Sequence, residues 1–260
     1  MLDLERARSA ADLGNAWAGH TVGGLALRLA RTDEELEVLQ RLRFQVFTEE
    51  MNAVFPGQHN GLDTDRFDQW CEHFMVSEPE RNRVIGTYRL LTPEKAKLAG
   101  AYYSESEFDI SALDALRPSL VEVGRSCIHP DYRNGSAIMM LWGGIAALMR
   151  MGGYRYLLGC ASVSLRDDGV TAAEVWRVAR KSMQDHPEVP HVTPLNRYPV
   201  ERLDSDLPAR IPPLIKGYLK LGATICGEPA WDPDFNTADF PVLLDLQAMD
   251  ERYKRHFGLV

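Results

Sequence analysis

Cysteine is scarce: Cys71, Cys127, Cys160 and Cys226 stand far apart in 260 residues, and no C-x-x-C pair occurs. That absence removes both a zinc-ligand spacing and a disulfide framework, and no metal site is expected. Cys127 and Cys160 fall inside apolar, strand-like runs and read as buried hydrophobes in a reducing cytoplasm. Basic residues are outnumbered, 29 Lys and Arg against 37 Asp and Glu, giving a formal net charge of −8. Such a balance argues against nucleic acid as a partner, because phosphate backbones need a basic surface. The most apolar run, residues 137–149, falls short of the roughly 20 residues that a bilayer span takes. A cytoplasmic protein is therefore expected, and peripheral contact with the inner membrane stays open. The opening residues, MLDLERARSAADLG, are charged throughout and carry no signal-peptide pattern.

What is present is an ordinary globular composition, 45% apolar and 25% charged. The charge is uneven. Between Arg125 and Lys181 eight Arg and Lys face four acids, a local net of +4 that suits an acidic partner or a phosphate arm. The pattern centres on residues 120–151, a strand, a basic Gly-containing turn and a helix apolar on every side. Strand, turn and helix make an anion cradle, where unpaired N–H groups and the positive end of the helix dipole converge. Glu122 and Arg125 are three apart and would face opposite ways in a regular strand. A bulge at Gly124 would bring both into one cleft. A carboxylate, a guanidinium and an anion cradle on one segment point to acyl transfer from a phosphate-bearing carrier; a structural ion pair beside an ordinary turn is the plain alternative.

Around that centre the periodicities place the other elements. Residues 25–29 alternate as a strand, and Thr32 with Glu35 forms a capping box that opens a helix. Leu36, Leu39, Leu42, Val46 and Phe47 lay one face of that helix on a core, with Arg41 and Arg43 projecting elsewhere. A turn-rich loop follows, with Pro56, Gly57 and Asn60-Gly61 as breakers. Its Asp63, Asp65 and Asp68 lack the Gly and terminal Glu of a calcium loop, so calcium is set aside. Residues 73–77 and 84–91 read as a hairpin, 93–119 as irregular, and 154–163 as a strand parallel to the central one. Residues 164–211 read as an insertion, with a short helix at 172–183 and a Pro-rich connection. A helix at 214–221 stopped by Gly222, strands at 223–226 and 240–246, and a charged tail complete the chain. Residues 1–23 read as a separate arm.

This order of elements resembles the GNAT N-acyltransferase fold, a mixed α/β sheet with splayed parallel strands flanked by helices. The blocks RLRFQVFTEEM, DRFDQWCEHFMV, VIGTYRLL, YYSESEFD, EVGRSCIHPDYR, LLGCAS, LPARIPPLIKGYLKLGA and DPDFNTADF narrow the match. They are similar to ornithine lipid biosynthesis acyltransferases, often labelled hemolysin-like, with relatives among N-acyl amino acid synthases and acyl-homoserine-lactone synthases. The resemblance runs from about residue 25 to the end and implies one domain over 24–260, carrying the 164–211 insertion as a cover for an acyl tunnel or a dock for a carrier.

The resemblance also assigns roles. Arg43, Phe47, Asp65, Asp68 and Arg89 would shape the amine-substrate side of the cleft, the aspartates holding an ammonium and the arginines an α-carboxylate. The plain reading is that these charges pair with one another. Glu122 would be the base beside Arg125, backbone N–H groups at Ser126, Cys127 and Ile128 the oxyanion hole, and Tyr218, in a Y-x-x-x-G spacing with Gly222, the acid for the thiolate. The turn Arg133, Asn134, Gly135, Ser136 departs from the Q/R-x-x-G-x-G/A signature of acetyl-CoA enzymes, with Ser136 and Ile138 at its glycine positions. This favours the single phosphate of a phosphopantetheine arm, so acyl carrier protein is the expected donor, with no bound cofactor. Ile138, Met139 and Met140 would suit an acyl pocket. The implied reaction is transfer of a long acyl chain, 3-hydroxylated or not, to the α-amino group of an amino acid, ornithine first. The alternatives are an acyl-homoserine-lactone synthase-like enzyme or a non-catalytic acyl-binding module.

Overall fold

The alternating runs become strands and the 3.6-period runs helices in a computed structural model that describes residues 21–55, 60–203 and 210–259. In chain order they are β1 (Thr21–Val22), β2 (Leu25–Leu29), α1 (Asp33–Met51), β3 (Glu72–Glu78), β4 (Arg83–Leu91), α2 (Pro93–Ala99), β5 (Phe108–Asp109) and β6 (Leu120–Ile128). There follow α3 (Ser136–Gly152), β7 (Tyr156–Ser164), α4 (Val170–Asp185), β8 (Thr193–Pro194), α5 (Pro213–Lys220), β9 (Thr224–Ile225), β10 (Ala230–Asp232), β11 (Thr237–Asp245) and α6 (Glu251–His256). The main sheet has nine strands in the order β1-β2-β3-β4-β6-β7-β11-β10, with β9 also on β11. Every pairing in it is antiparallel except β6 with β7.

The expected mixed sheet with helices on both faces is therefore present. One face carries α3, which packs on β2, β3, β4 and β6, while α4 and α5 extend the same layer over β7 and β11. The other face carries α1 and the short elements between residues 63 and 119. Gly144 lets α3 lie close: a Cβ there would meet Leu27 and Phe74 at 2.9 Å. The capping box forms in modified shape. Thr32 Oγ accepts from the Glu35 N–H, but the Glu35 carboxylate reaches one residue further back, to the Arg31 N–H.

Two irregularities in β6 make the site. Its parallel pairing with β7 covers only Leu120, Val121 and Glu122, so the strands part beyond Glu122. At the fork the two backbones still touch: a Cβ on Gly159 would lie 2.7 Å from the Val123 carbonyl oxygen. In the pairing with β4, Gly124 opposes Arg89 and Cys127 opposes Thr87, so Arg125 and Ser126 together face Tyr88. The expected bulge is thus present, one residue later than Gly124: Arg125 itself adopts the left-handed φ of 52°. A bulky residue there is strained by roughly 1–3 kcal/mol. The bulge reverses the alternation. Val121 and Val123 face the α3 core, whereas beyond it Ile128 does and Cys127 turns to α1.

Several expectations change. Arg43 does not project away from the core; it is fully buried. Residues 93–119 are not irregular but hold α2, capped by Thr92, and two 3-10 turns. Of the arm at 1–23, residues 1–20 lie outside the described residues, and Thr21 and Val22 pair with β2. Helix α4 is longer than expected and buries Ala172, Ala173, Val175 and Ala179 against the sheet. Pro56, Gly57 and Pro208 lie outside the described residues. Among the described residues no helix is long and apolar enough to cross a membrane.

Candidate active site

A cavity of about 200 Å³ passes through the fork. On the α1 face its wall is polar, formed by Arg89, Tyr103, Glu107, Glu122, Arg125 and Asp239. It narrows at Val123 and Gly159. On the α3 face it is apolar, between Trp142, Ile145 and Ala146 of α3, Leu157 of β7 and Ile215 of α5, and it ends against Phe257 and Leu259. A molecule with a charged head and an oily tail fits such a space with its middle at the fork.

Behind the polar wall lies a lattice of three arginines and three aspartates. Arg43 donates to Asp68 at 2.8 and 3.2 Å and to the Asp63 carbonyl at 2.5 Å, and its Nε is 2.8 Å from the Asp63 carboxylate. Arg89 Nη1 bridges Asp65 and Asp68 at 2.7 and 2.8 Å. Arg125 reaches Asp63 at 3.1 Å and Asp65 at 3.2 Å, with its guanidinium between the rings of Tyr103 and Phe235. Burial pushes the Asp68 carboxyl up, but Arg43 and Arg89 outweigh it and hold the group well below the usual range. Burial likewise opposes, and Arg89 with Arg125 overcomes, the titration of Asp65. The charges pair with one another, as the plain reading of the sequence had it. Arg43, Asp65 and Asp68 do not line the cavity and hold its wall from behind; Arg89, Arg125 and Phe47 do line it.

Glu122 sits at the fork, buried but on the cavity wall. Its carboxylate accepts from the Tyr103 N–H at 2.6 Å, the Ser104 N–H at 2.7 Å and the Ser104 hydroxyl at 2.5 Å. Burial raises its pKa, and the Ser104 and Tyr103 donors pull the other way. A carboxylate has about four acceptor positions, so three bonds leave one for the cavity. Past the bulge, the His129 N–H bonds the Ile85 carbonyl at 2.8 Å. By strand alternation the Cys127 N–H also faces β4, leaving that of Ile128 toward the fork, with Ser126 in the bulge beside it. Across the gap the hydroxyls of Tyr88 and Tyr218 are 2.5 Å apart, and Ser126 adds a third hydroxyl beside Tyr88. Burial pushes Tyr88 up to about 12 and Tyr218 well above its ordinary value, so both are protonated donors near neutrality.

The side chains of the remaining named positions point away from the cavity. Cys127 packs against α1 with its thiol toward the Leu42 carbonyl, and burial pushes its pKa up to about 12, so it is no nucleophile. The Ile128 side chain belongs to the α3 core. Ile138 and Met140 pack on that core and Met139 is exposed; none lines the cavity, whose apolar wall begins one turn later at Trp142. The anion turn lies outside the cavity lining: Arg133 donates to the Ile128 carbonyl and pairs with Glu50. Gly135 caps α3 at φ 96°, and the Asn134 side chain accepts from the Ser136 N–H at 3.0 Å.

Three groups escaped the sequence reading. Asp63, which unlike Asp65 and Asp68 has no assigned role in the sequence beyond the calcium pattern set aside, joins the lattice. Tyr88 was one aromatic in a strand, and its partner lies 130 residues away. Glu107, Asp232 and Asp239 converge on the polar wall, with one carboxylate oxygen from each within 4.8 Å of the others. Burial first, then the charge of Asp239, raises Glu107 well above the usual range; burial and Asp232 raise Asp239. The available signal was an acid in the otherwise buried strand β11, where Asp239 stands between Ala238 and Phe240.

Residues 42–143 match the acetyltransferase (GNAT) domain family. The chain is 33% identical over 260 residues to an L-ornithine N(alpha)-acyltransferase of Brucella abortus (strain 2308), covering 91% of this chain and 90% of that one. It is 35% identical over 244 residues to the protein of the same name in Rhodobacter capsulatus, covering 89% and 93%. Among solved structures, an N-acyl amino acid synthase from uncultured soil microbes superposes with a TM-score of 0.53 at 13% identity, over 86% of this chain and 92% of that one, a likeness of fold alone.

Proposed function

The chain belongs to the family of L-ornithine N(alpha)-acyltransferases, and from that membership we propose that it carries a long fatty acyl chain from acyl carrier protein to the α-amino group of ornithine. The product, 3-hydroxylated on its chain or not, is a lyso-ornithine lipid. The observation that carries the reading is the cavity through the fork, polar on one face and apolar on the other. The acyl chain lies on the α3 face, its thioester at the fork, and the amino acid on the α1 face with its α-carboxylate toward Arg125 and Arg89.

Amide formation needs a neutral amine, a stabilised oxyanion and a proton for the thiolate. Glu122 takes the ammonium proton through its remaining acceptor position, and its raised pKa brings it closer to the amine's. The N–H groups of Ser126 and Ile128 donate to the oxyanion. Of the Tyr88 and Tyr218 hydroxyls, joined by a hydrogen bond, the one whose proton lies outside that bond gives it to the departing sulfur. Most of the acceleration comes from holding amine and thioester together, with acid-base help of about 10² to 10⁴-fold. The phosphopantetheine phosphate rests at the turn of Arg133 to Ser136, outside the cavity.

The test is incubation of the pure protein with acyl carrier protein thioesters and a panel of amino acids, with products identified by mass. N-acylornithine is expected. Product only from acyl-CoA overturns the donor, and product only from another amino acid overturns the acceptor.

A further inference from the structure

Three carboxylates crowded on one cavity wall cannot all stay ionised without a cation or a proton among them. Glu107, Asp232 and Asp239 are in that position. Asp239 is 3% exposed, and its Oδ1 and both Glu107 carboxylate oxygens are buried without a well-formed hydrogen bond, the neutral side chains of Tyr103, Cys160, Ser162 and Thr237 being their neighbours. The contrast with the lattice is sharp, because there every aspartate has an arginine. An unpartnered buried acceptor is costly, and its persistence on a ligand-accessible wall implies that a donor arrives from outside.

The geometry points to this acidic triad as the binding site for a second, side-chain ammonium of the acceptor. Three acceptors that each sit about 2.8 Å from one tetrahedral nitrogen stand about 4.6 Å apart, inside the 4.8 Å that bounds the separations of these oxygens. An ammonium offers three N–H donors, one for each carboxylate. A hard metal ion wants six or more oxygens at about 2.0–2.6 Å, and beyond the triad this wall offers only the neutral hydroxyls of Tyr103, Ser162 and Thr237 and the Cys160 thiol. The inference rests on the proposed reaction, in which the same chamber receives an amino acid.

A further consequence concerns which amine reacts. A cage of carboxylates holds an amine protonated, and a protonated amine cannot attack a thioester. The triad thereby anchors one amino group and silences it, leaving the other free at Glu122. Acylation at the α position then follows from the site that grips the opposite end of the substrate.

The experiment compares L-ornithine with L-norvaline, the same skeleton without the side-chain amine, in the full-length wild type and in Glu107→Gln, Asp239→Asn and Asp232→Asn. In the wild type kcat/KM should favour ornithine by at least about 100-fold. In the variants that ratio should fall toward parity, and tandem mass spectrometry should detect side-chain acylation of ornithine. A ratio and regiochemistry unchanged in all three variants overturns the proposal. Calorimetry with ornithine, norvaline, Ca²⁺ and Mg²⁺ separates the remaining outcomes. Ion binding that the variants abolish while they keep wild-type ornithine affinity makes the triad a metal site and overturns the proposal. Triad-dependent ornithine binding supports it even if the wild type acylates no amino acid, a result that sinks the proposed reaction alone.

Discussion

The polar chamber has two acidic regions only a few side chains apart, and they are built on opposite rules. In one, Asp63, Asp65 and Asp68 are neutralised by Arg43, Arg89 and Arg125 through contacts between 2.7 and 3.2 Å. In the other, Glu107 and Asp239 face the cavity with only neutral side chains beside their carboxylates and no arginine or lysine paired with them. A neutralised lattice holds a loop against a sheet and offers a ligand only the faces of Arg89 and Arg125 that line the cavity. An unneutralised cluster weakens the empty protein and keeps its acceptors for one. Burial alone does not separate structure from recognition; pairing does.

The most severe test of that contrast is Asp68→Ala against Asp239→Asn. The first takes one of two aspartate partners from each of two buried guanidinium groups and should cost about 3–5 kcal/mol in urea denaturation. The second removes a buried carboxylate that has no cationic partner and should leave stability equal or higher. Comparable losses in both would erase the distinction between the regions. Next in size is the pH dependence of His73, whose Nε2 donates to the Asp68 carbonyl at 2.9 Å and whose pKa burial lowers to about 4. Its neutral ring contributes stability that is present above the unfolded value near 6.5 and lost as pH falls toward about 4, up to about 3 kcal/mol. His73→Gln should flatten this part of the curve, and an undiminished slope assigns it to other groups.

Glu122 lies between the two regions in kind, a carboxylate satisfied by neutral donors. Glu122→Gln should lower turnover about 10²-fold and destabilise by about 1–2 kcal/mol, since an amide accepts through one oxygen only. Ser104→Ala, which removes only the hydroxyl donor, should keep turnover and lose about 1 kcal/mol. Equal turnover losses in the two would make Glu122 an anchor for the Tyr103 turn rather than a base. The smallest effect is expected at Arg133→Glu: a several-fold rise in KM for the carrier-protein thioester at constant kcat. An unchanged KM would remove this face from carrier docking.

Period-two and period-3.6 patterns made the strands and helices readable, because burying one face imposes those periods directly. The same patterns misjudged Arg43, four residues after Leu39 and thus on the buried side, where charge suggested exposure that its aspartates make unnecessary. The bulge was legible through Gly124, yet the left-handed residue is Arg125, where the ion pairs and the two flanking rings offset the strain. Glu122 and Arg125 were legible because they share a strand. Glu107, Asp232 and Asp239 were not, since their meeting depends on β10 and β11 folding back beside β7, a long-range event with no local period.

The bulge at Arg125 acts as a half-cycle dislocation in an otherwise regular two-beat pattern. Upstream of it one beat belongs to the charged chamber, and downstream the same beat belongs to the oily one. A single strand can therefore serve water-loving and oil-loving reactants at adjacent positions, and removing one residue there would put the rest of the strand out of phase. Where a substrate is half salt and half hydrocarbon, the seam between its halves has its counterpart in one misplaced backbone step.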